Sequence, residues 1–170
     1  MKVSSPQRRL LLGAAALGAA GGGAWLWQRN APPLAPAVRY TLLNGQVTDS
    51  TQAWAGKVML VNFWATSCVS CVKEMPEIVA THQKFAGRAF DTLAVAMQYD
   101  RPDYVAQFAA SRQLPFGVAI DNTGAVANAF GPVRMTPTTF LIDKRGQIIK
   151  RILGEPDFAE LHQLIERLLR

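Results

Sequence analysis

The sequence predicts an α/β domain in which a mixed central sheet is flanked by helices on both sides. Two near-continuous apolar runs, KVMLVNFWA (Lys57 to Ala65) and FDTLAVAMQ (Phe90 to Gln98), have the length and composition of strands buried on both faces. Segments with apolar residues at helical spacing alternate with these runs. The chain then closes on two adjacent strand-like runs and an amphipathic helix, which adds antiparallel strands to a sheet that is otherwise parallel.

The elements follow in order. Leu10 to Trp27 carries no charge, spans about 27 Å as a helix, is preceded by Arg8 and Arg9, and ends in Trp25 and Trp27. Residues 1–29 are therefore expected to be an N-terminal membrane anchor or signal segment. The first reading is a single span through residues 10–27 of a bacterial inner membrane, with the domain in the periplasm. The alternative is a cleaved signal and a soluble periplasmic domain, which five glycines in the span and the small residues Ala19 to Ala24 would suit. Residues 30–37, NAPPLAPA, read as a proline-rich tether, and the globular domain is expected at 38–170. VRYTLL and the Asn44-Gly45 turn suggest a short hairpin. Lys57 to Ala65 is the first buried strand, and Val72 to Phe85 has helical spacing. Phe90 to Gln98 is the second buried strand. Pro102 opens a helix running to about Gln113, at a position where its missing N–H does no harm. Phe116 to Ile120 is a strand, and Asp121 is expected to cap a short helix ending near Phe130-Gly131. TTFLID and QIIKRIL pair across the turn Asp143 to Gly146, and Asp157 caps the closing helix.

The formal charge of +6 is uneven. Lys2, Arg8, Arg9 and Arg29 precede the first acid, Asp49, and without them 14 basic residues face 12 acidic ones. The body of the chain is nearly balanced, which gives no support to a nucleic-acid partner.

The chain has two cysteines, both in FWATSCVSCVKEMP (Phe63 to Pro76). A C-x2-C pair can be half of a zinc site, a pair of inert buried thiols, or a redox dithiol. A zinc site needs a second pair of ligands, and His82 and His162 stand alone on predicted helices, where they read as solvent-facing. Two cysteines one helical turn apart, in a chain with no others, would be an odd accident if inert. The dithiol has a mechanical reason: the strand ends at Ala65, and Thr66-Ser67 deliver Cys68 to a helix start, where unpaired N–H groups stabilise a thiolate. Cys71 falls on the same face, shielded, within reach to resolve a mixed disulfide.

Together with GKVMLVN upstream and TPTTFLID downstream, this motif resembles the TlpA/ResA-type thioredoxin-like thiol–disulfide oxidoreductases, relatives of the cytochrome c maturation oxidoreductases. The resemblance covers about Val38 to Arg170. It implies a thioredoxin fold with an N-terminal β-hairpin and an inserted strand–helix unit. No cofactor is expected, and with no obvious dimerisation module in the sequence the chain is expected to be a monomer. The resemblance makes Cys68 the nucleophile and Cys71 the resolving cysteine. Pro137 matches the cis-proline facing the dithiol, Thr136 the residue whose backbone receives an extended substrate, and Trp64 the aromatic beside the site, where plain core is the alternative. Pro76 matches the proline of the first helix. Asn62 stands where thioredoxins carry a buried acid, and Glu74 occupies the place of an acid that handles the Cys71 proton; a helix-dipole role is its alternative.

Implied partners are protein substrates with reactive cysteines or disulfides, for example in cytochrome c or copper-oxidase maturation, and a membrane thiol reductant supplying electrons. The expected direction is reduction. Two departures bear on it: Ser70 stands where many relatives have proline, and the loop Gly131 to Thr136 is one residue longer than the common pattern. A Cu(I) chaperone is the rival reading, since paired thiolates hold Cu(I); relatives specialised for copper usually space their cysteines by three.

Overall fold

The computed structural model describes residues 31–170. Seven strands and five helices alternate: β1 (Arg39–Thr41), β2 (Val47–Asp49), α1 (Ser50–Ala53), β3 (Val58–Trp64), α2 (Val69–Phe85), β4 (Phe90–Ala96), α3 (Pro102–Ser111), β5 (Gly117–Ile120), α4 (Ala125–Ala129), β6 (Thr138–Ile142), β7 (Ile148–Leu153) and α5 (Phe158–Leu169). The main sheet has the order β5-β4-β3-β6-β7. β3, β4 and β5 run parallel, while β6 is antiparallel to β3 and to β7. β1 and β2 form a separate antiparallel pair fastened to the β5 edge, where Leu43 N–H donates to Val118 O at 2.9 Å.

β3 is central, so every residue in it is buried, and its period of two divides the core. Met59, Val61 and Phe63 pack with Tyr40, Phe130 and Phe140 on one side. Val58, Leu60 and Trp64 pack with residues of α2, α3 and α5 on the other. The even-numbered face of β3 therefore looks at α2.

Boundaries differ from expectation for local reasons. α2 starts at Val69, not Val72, because Cys68 is its N-cap and its Sγ accepts the Cys71 N–H at 3.2 Å. α3 stops at Ser111, just ahead of Gln113 at φ 50°. α4 is capped by Gly124, whose φ of 72° few other residues adopt. Asp121 still serves that helix, taking N–H bonds from Val126 at 3.2 Å and Ala127 at 2.8 Å. The single turn α1 was not expected; Asp49 caps it through Thr51 N–H at 2.9 Å. Within the segment read as a tether, Leu34 bridges Gln147 and Ala35 N–H donates to Gly146 O at 2.8 Å, so these residues run along the β6–β7 turn.

The inner-membrane placement is corrected. Among the described residues no helix is long and apolar enough to cross a membrane. The longest, α2, has 17 residues and carries Lys73, Glu74, Glu77 and Lys84; a span needs about 20 mainly apolar ones. Residues 10–27, on which the single N-terminal span rested, lie outside the described residues.

Both histidines are corrected as well, since neither faces solvent freely. His82 is half-buried, with Nδ1 3.1 Å from Thr92 Oγ1 and its ring against Phe116. His162 is half-buried between α5 and α2, with Nε2 2.8 Å from Thr81 Oγ1. Desolvation holds both imidazoles below their ordinary pKa, and Lys84 adds to this at His162.

Candidate active site

β3 ends at Trp64, and one turn carries the chain from the sheet to α2: Cys68 N–H donates to Ala65 O at 3.2 Å, and Val72 N–H to Cys68 O at 3.0 Å. Cys68 and Cys71 are joined as a disulfide, their Cα atoms 5.2 Å apart. The two sulfurs are not equivalent. Cys68 is half-buried and caps the helix, whereas Cys71 is wholly buried in the core beneath α2. The Ser70 hydroxyl lies 3.5 Å from Cys68 Sγ and is the donor here, because a disulfide sulfur has no proton.

One turn beyond Cys71, Glu74 is fully buried. Its Oε1 accepts from Asn62 Nδ2 at 2.9 Å, and the same amide donates to Thr139 Oγ1 at 2.9 Å. Asn62 and Thr139 are register partners on β3 and β6, so the pairing of two central strands fixes the amide that holds the carboxyl. Loss of water pushes the Glu74 pKa up from 4.5 to about 7. The Asn62 bond opposes that shift, and the negative charge of Glu155 adds to it. Glu74 Oε2 has no partner among the described residues. The carboxyl can thus carry or release a proton near neutral pH, on the helix face that also carries Cys71.

Pro137 follows a cis peptide bond from Thr136. It stands one residue before β6, and Thr138 pairs with Phe63, so the register brings this loop to the same end of β3 that delivers Cys68. Pro137 is buried, and its carbonyl accepts Gly154 N–H at 2.9 Å. Thr136 is half-buried; among the described residues its main-chain N–H and C=O have no hydrogen-bond partner. Trp64 is fully buried, its ring centroid 5.0 Å from that of Phe108. It supports the dithiol from within the core and offers no surface to a substrate, so the core alternative describes it. Pro76 lies inside α2, which continues through it.

The structure thus brings Cys68, Cys71, Glu74, Thr136 and Pro137 to one end of the sheet and places Trp64 beneath them. Asn62 and Thr139, as the hydrogen-bonding frame of Glu74, went unread. Their signal was present: an amide inside the run VMLVNFW must find a partner once buried.

Comparison with known proteins agrees with this geometry. The sequence profile of the Redoxin family matches residues 30–165. The thiol-disulfide oxidoreductase ResA of Bacillus thuringiensis subsp. konkukian is 33% identical over 135 residues, covering 79% of this chain and 76% of ResA. A candidate thioredoxin from Neisseria meningitidis, solved in solution, is 41% identical with a TM-score of 0.73, over 79% of this chain and 88% of that one. A candidate thiol:disulfide interchange protein DsbE from Chlorobium tepidum is 28% identical with a TM-score of 0.73, over 83% of this chain and 99% of that one. The fold is thioredoxin-like, as the resemblance implied.

Proposed function

This chain belongs to the Redoxin family and is a thiol–disulfide oxidoreductase of the ResA and DsbE type, and we propose that it reduces disulfides in selected protein substrates. The observation that carries this reading is the asymmetric pair at the head of α2, with the accessible sulfur at the cap and a buried carboxyl of pKa about 7 one turn behind the inner one. In the reduced form, the Cys68 thiolate is stabilised by the Cys71 N–H and the helix N-terminus. It attacks one sulfur of a substrate disulfide, a Cys68–substrate bond forms, and the other substrate sulfur leaves as a thiolate. Cys71 then passes its proton to Glu74 and attacks Cys68 Sγ, expelling the second substrate thiolate. Two electrons move from the dithiol to the substrate, and the Cys68–Cys71 disulfide remains. A thiol reductant must restore the dithiol.

Thr136 and Pro137 border the attacking sulfur in this reading, and the unpaired main chain of Thr136 receives the substrate backbone. Polypeptides with paired cysteines, such as apocytochromes or copper-site subunits of oxidases, are the substrate class that the ResA resemblance suggests. A Cys71→Ser variant should accumulate mixed disulfides with substrate proteins, and Cys68→Ser should accumulate none. Equilibration with a dithiol of known potential tests the direction: a reductant lies below roughly −200 mV, and a value above about −150 mV would make the protein an oxidant.

A further inference from the structure

The loop that leaves β4 touches both sides of the site. Asp100 is 8% exposed, and its carboxylate takes two bonds from one residue: Thr66 N–H at 2.6 Å on Oδ2 and the Thr66 hydroxyl at 2.6 Å on Oδ1. Oδ1 also accepts Arg101 N–H at 3.0 Å. The main chain is fastened to the end of β3 as well, because Asp100 N–H donates to Met97 O at 2.9 Å and Met97 N–H to Trp64 O at 3.0 Å. Thr66 lies in the turn that presents Cys68. Charge-assisted bonds to both its backbone and its side chain fix that turn more firmly than neutral bonds would.

The neighbouring Tyr99 reaches the other side. Its hydroxyl is 3.2 Å from Thr136 Oγ1, yet 60% of the residue is exposed. An aromatic ring held in solvent by its polar end serves no core. Two more exposed apolar side chains adjoin the site in sequence: Val69 next to Cys68, and Met135 next to Thr136. With the unpaired N–H and C=O of Thr136, they offer what an extended polypeptide presents in return, namely main-chain hydrogen bonds and apolar side chains. A small disulfide would use little of this surface.

We propose that Tyr99 and Asp100 form a clamp on the substrate groove: Asp100 is a positioning residue for the turn that presents Cys68, and Tyr99 is a specificity residue that fixes Thr136 and offers its ring to an extended, cysteine-bearing polypeptide. The proposal rests on the reading of the chain as a reductase of protein disulfides. Its test compares wild type, Tyr99→Ala, Tyr99→Phe and Asp100→Asn on two substrates, a disulfide-bridged peptide and oxidised glutathione. Tyr99→Ala raises KM for the peptide about 2- to 10-fold, as expected for the loss of an aromatic contact, and leaves kcat and the glutathione rate within about twofold. Tyr99→Phe keeps the ring and falls between. Asp100→Asn removes an acceptor from Thr66 and slows both substrates by a similar factor, on the order of tenfold. It also shifts the pH midpoint of Cys68 alkylation, and Asp100→Glu restores part of the loss.

Equal losses on both substrates for Tyr99→Ala, or no loss on either, would overturn the specificity role. Wild-type rates and alkylation in Asp100→Asn would overturn the positioning role. Should Asp100→Asn not fold, Asp100→Glu decides the positioning role by the same rates and alkylation, with wild-type behaviour overturning it, and Tyr99→Ala decides the specificity role, because the Tyr99 ring is at the surface. A wild-type protein inert toward both disulfides would defeat the reductase reading, and the clamp with it.

Discussion

Helices α2 and α5 pack on the same face of the sheet and share one core, yet they fill it with different chemistry. The buried positions of α5 are Leu161 and Ile165, with Leu164, Leu168 and Leu169 half-buried around them. Its charges lie outside that stripe. The buried positions of α2 are Cys71, Glu74, Met75, Ile78, Thr81 and Phe85. The spacing is helical in both, but two of the six α2 positions, Glu74 and Thr81, are polar groups that gain nothing from leaving water, and a third is the reactive Cys71. α5 uses its inner face for cohesion, whereas α2 gives up cohesion to hold a thiol and a carboxyl away from solvent.

The first way to break the comparison is Cys68→Ser. It should abolish disulfide exchange and leave the stability of the reduced domain nearly unchanged, since Cys68 is only half-buried at a helix cap that serine also suits. Turnover of a peptide disulfide, with urea unfolding under reducing conditions, checks both halves. Ile165→Ala should do the reverse: a loss of about 2–5 kcal/mol of stability for a large apolar side chain with no exposed surface, and an unaltered pH dependence of exchange. A shifted pH profile in that variant would mean that the two helices do not divide their work.

The same contrast explains what could be read before folding. The cap and apolar stripe of α5 were legible, because a stripe behind the capping Asp157 needs no partner to be recognised, whereas the contact of its His162 with Thr81 of α2 was not. β3 and β4 were legible as apolar runs, and Cys68 and Cys71 as a motif. Glu74 could be named from its place in the motif, but its hydrogen bond to Asn62 depends on strand register, which local sequence does not encode. For Trp64 the sequence left two readings open, an aromatic beside the site or plain core, for a related reason: its neighbour in sequence is the active-site turn, while its ring packs in space against Phe108 of α3. Tyr99 and Asp100 sit in a loop whose partners, Thr136 and Thr66, are 37 and 34 residues away. Contacts of that range appear only once the sheet is assembled.

A third test asks what the buried carboxyl of α2 costs. Glu74 keeps its proton up to about pH 7 in the folded protein, against an ordinary value of 4.5. Below about pH 4.5 it is protonated both folded and unfolded. Between 4.5 and 7 only the folded state holds the proton, so stability falls as pH rises through this window and stays low above it. The effect amounts to at most about 3 kcal/mol. Urea unfolding of the oxidised protein, in which neither cysteine titrates, should therefore show greater stability at pH 5 than at pH 8. Glu74→Gln should remove this difference and should also flatten the pH dependence of exchange near neutrality. A variant that keeps the wild-type pH dependence would return Glu74 to a structural role.

The smallest effect comes from the one acid on the α5 side that acts on Glu74. Glu155 stands between β7 and α5, and its negative charge helps to hold the Glu74 proton. Lys73 of α2 bonds Glu155 Oε2 at 3.0 Å and offsets part of that charge. The pair is exposed, with 72% of the Lys73 side chain and 40% of the Glu155 side chain in solvent, so it contributes only about 0–1 kcal/mol to stability. Its effect on titration still has a definite sign. Glu155→Gln removes a negative neighbour, makes the Glu74 anion easier to form, and moves its midpoint down. Lys73→Ala leaves Glu155 unpaired and moves the midpoint up. Both shifts should shrink at about 1 M salt, where the screening length falls to about 3 Å, whereas the larger displacement caused by burial should persist. Carbon NMR of the Glu74 carboxyl in the oxidised protein can follow all three. If the two variants move it in the same direction, Glu155 acts through packing and not through charge, and the influence of α5 on the redox helix is cohesive after all.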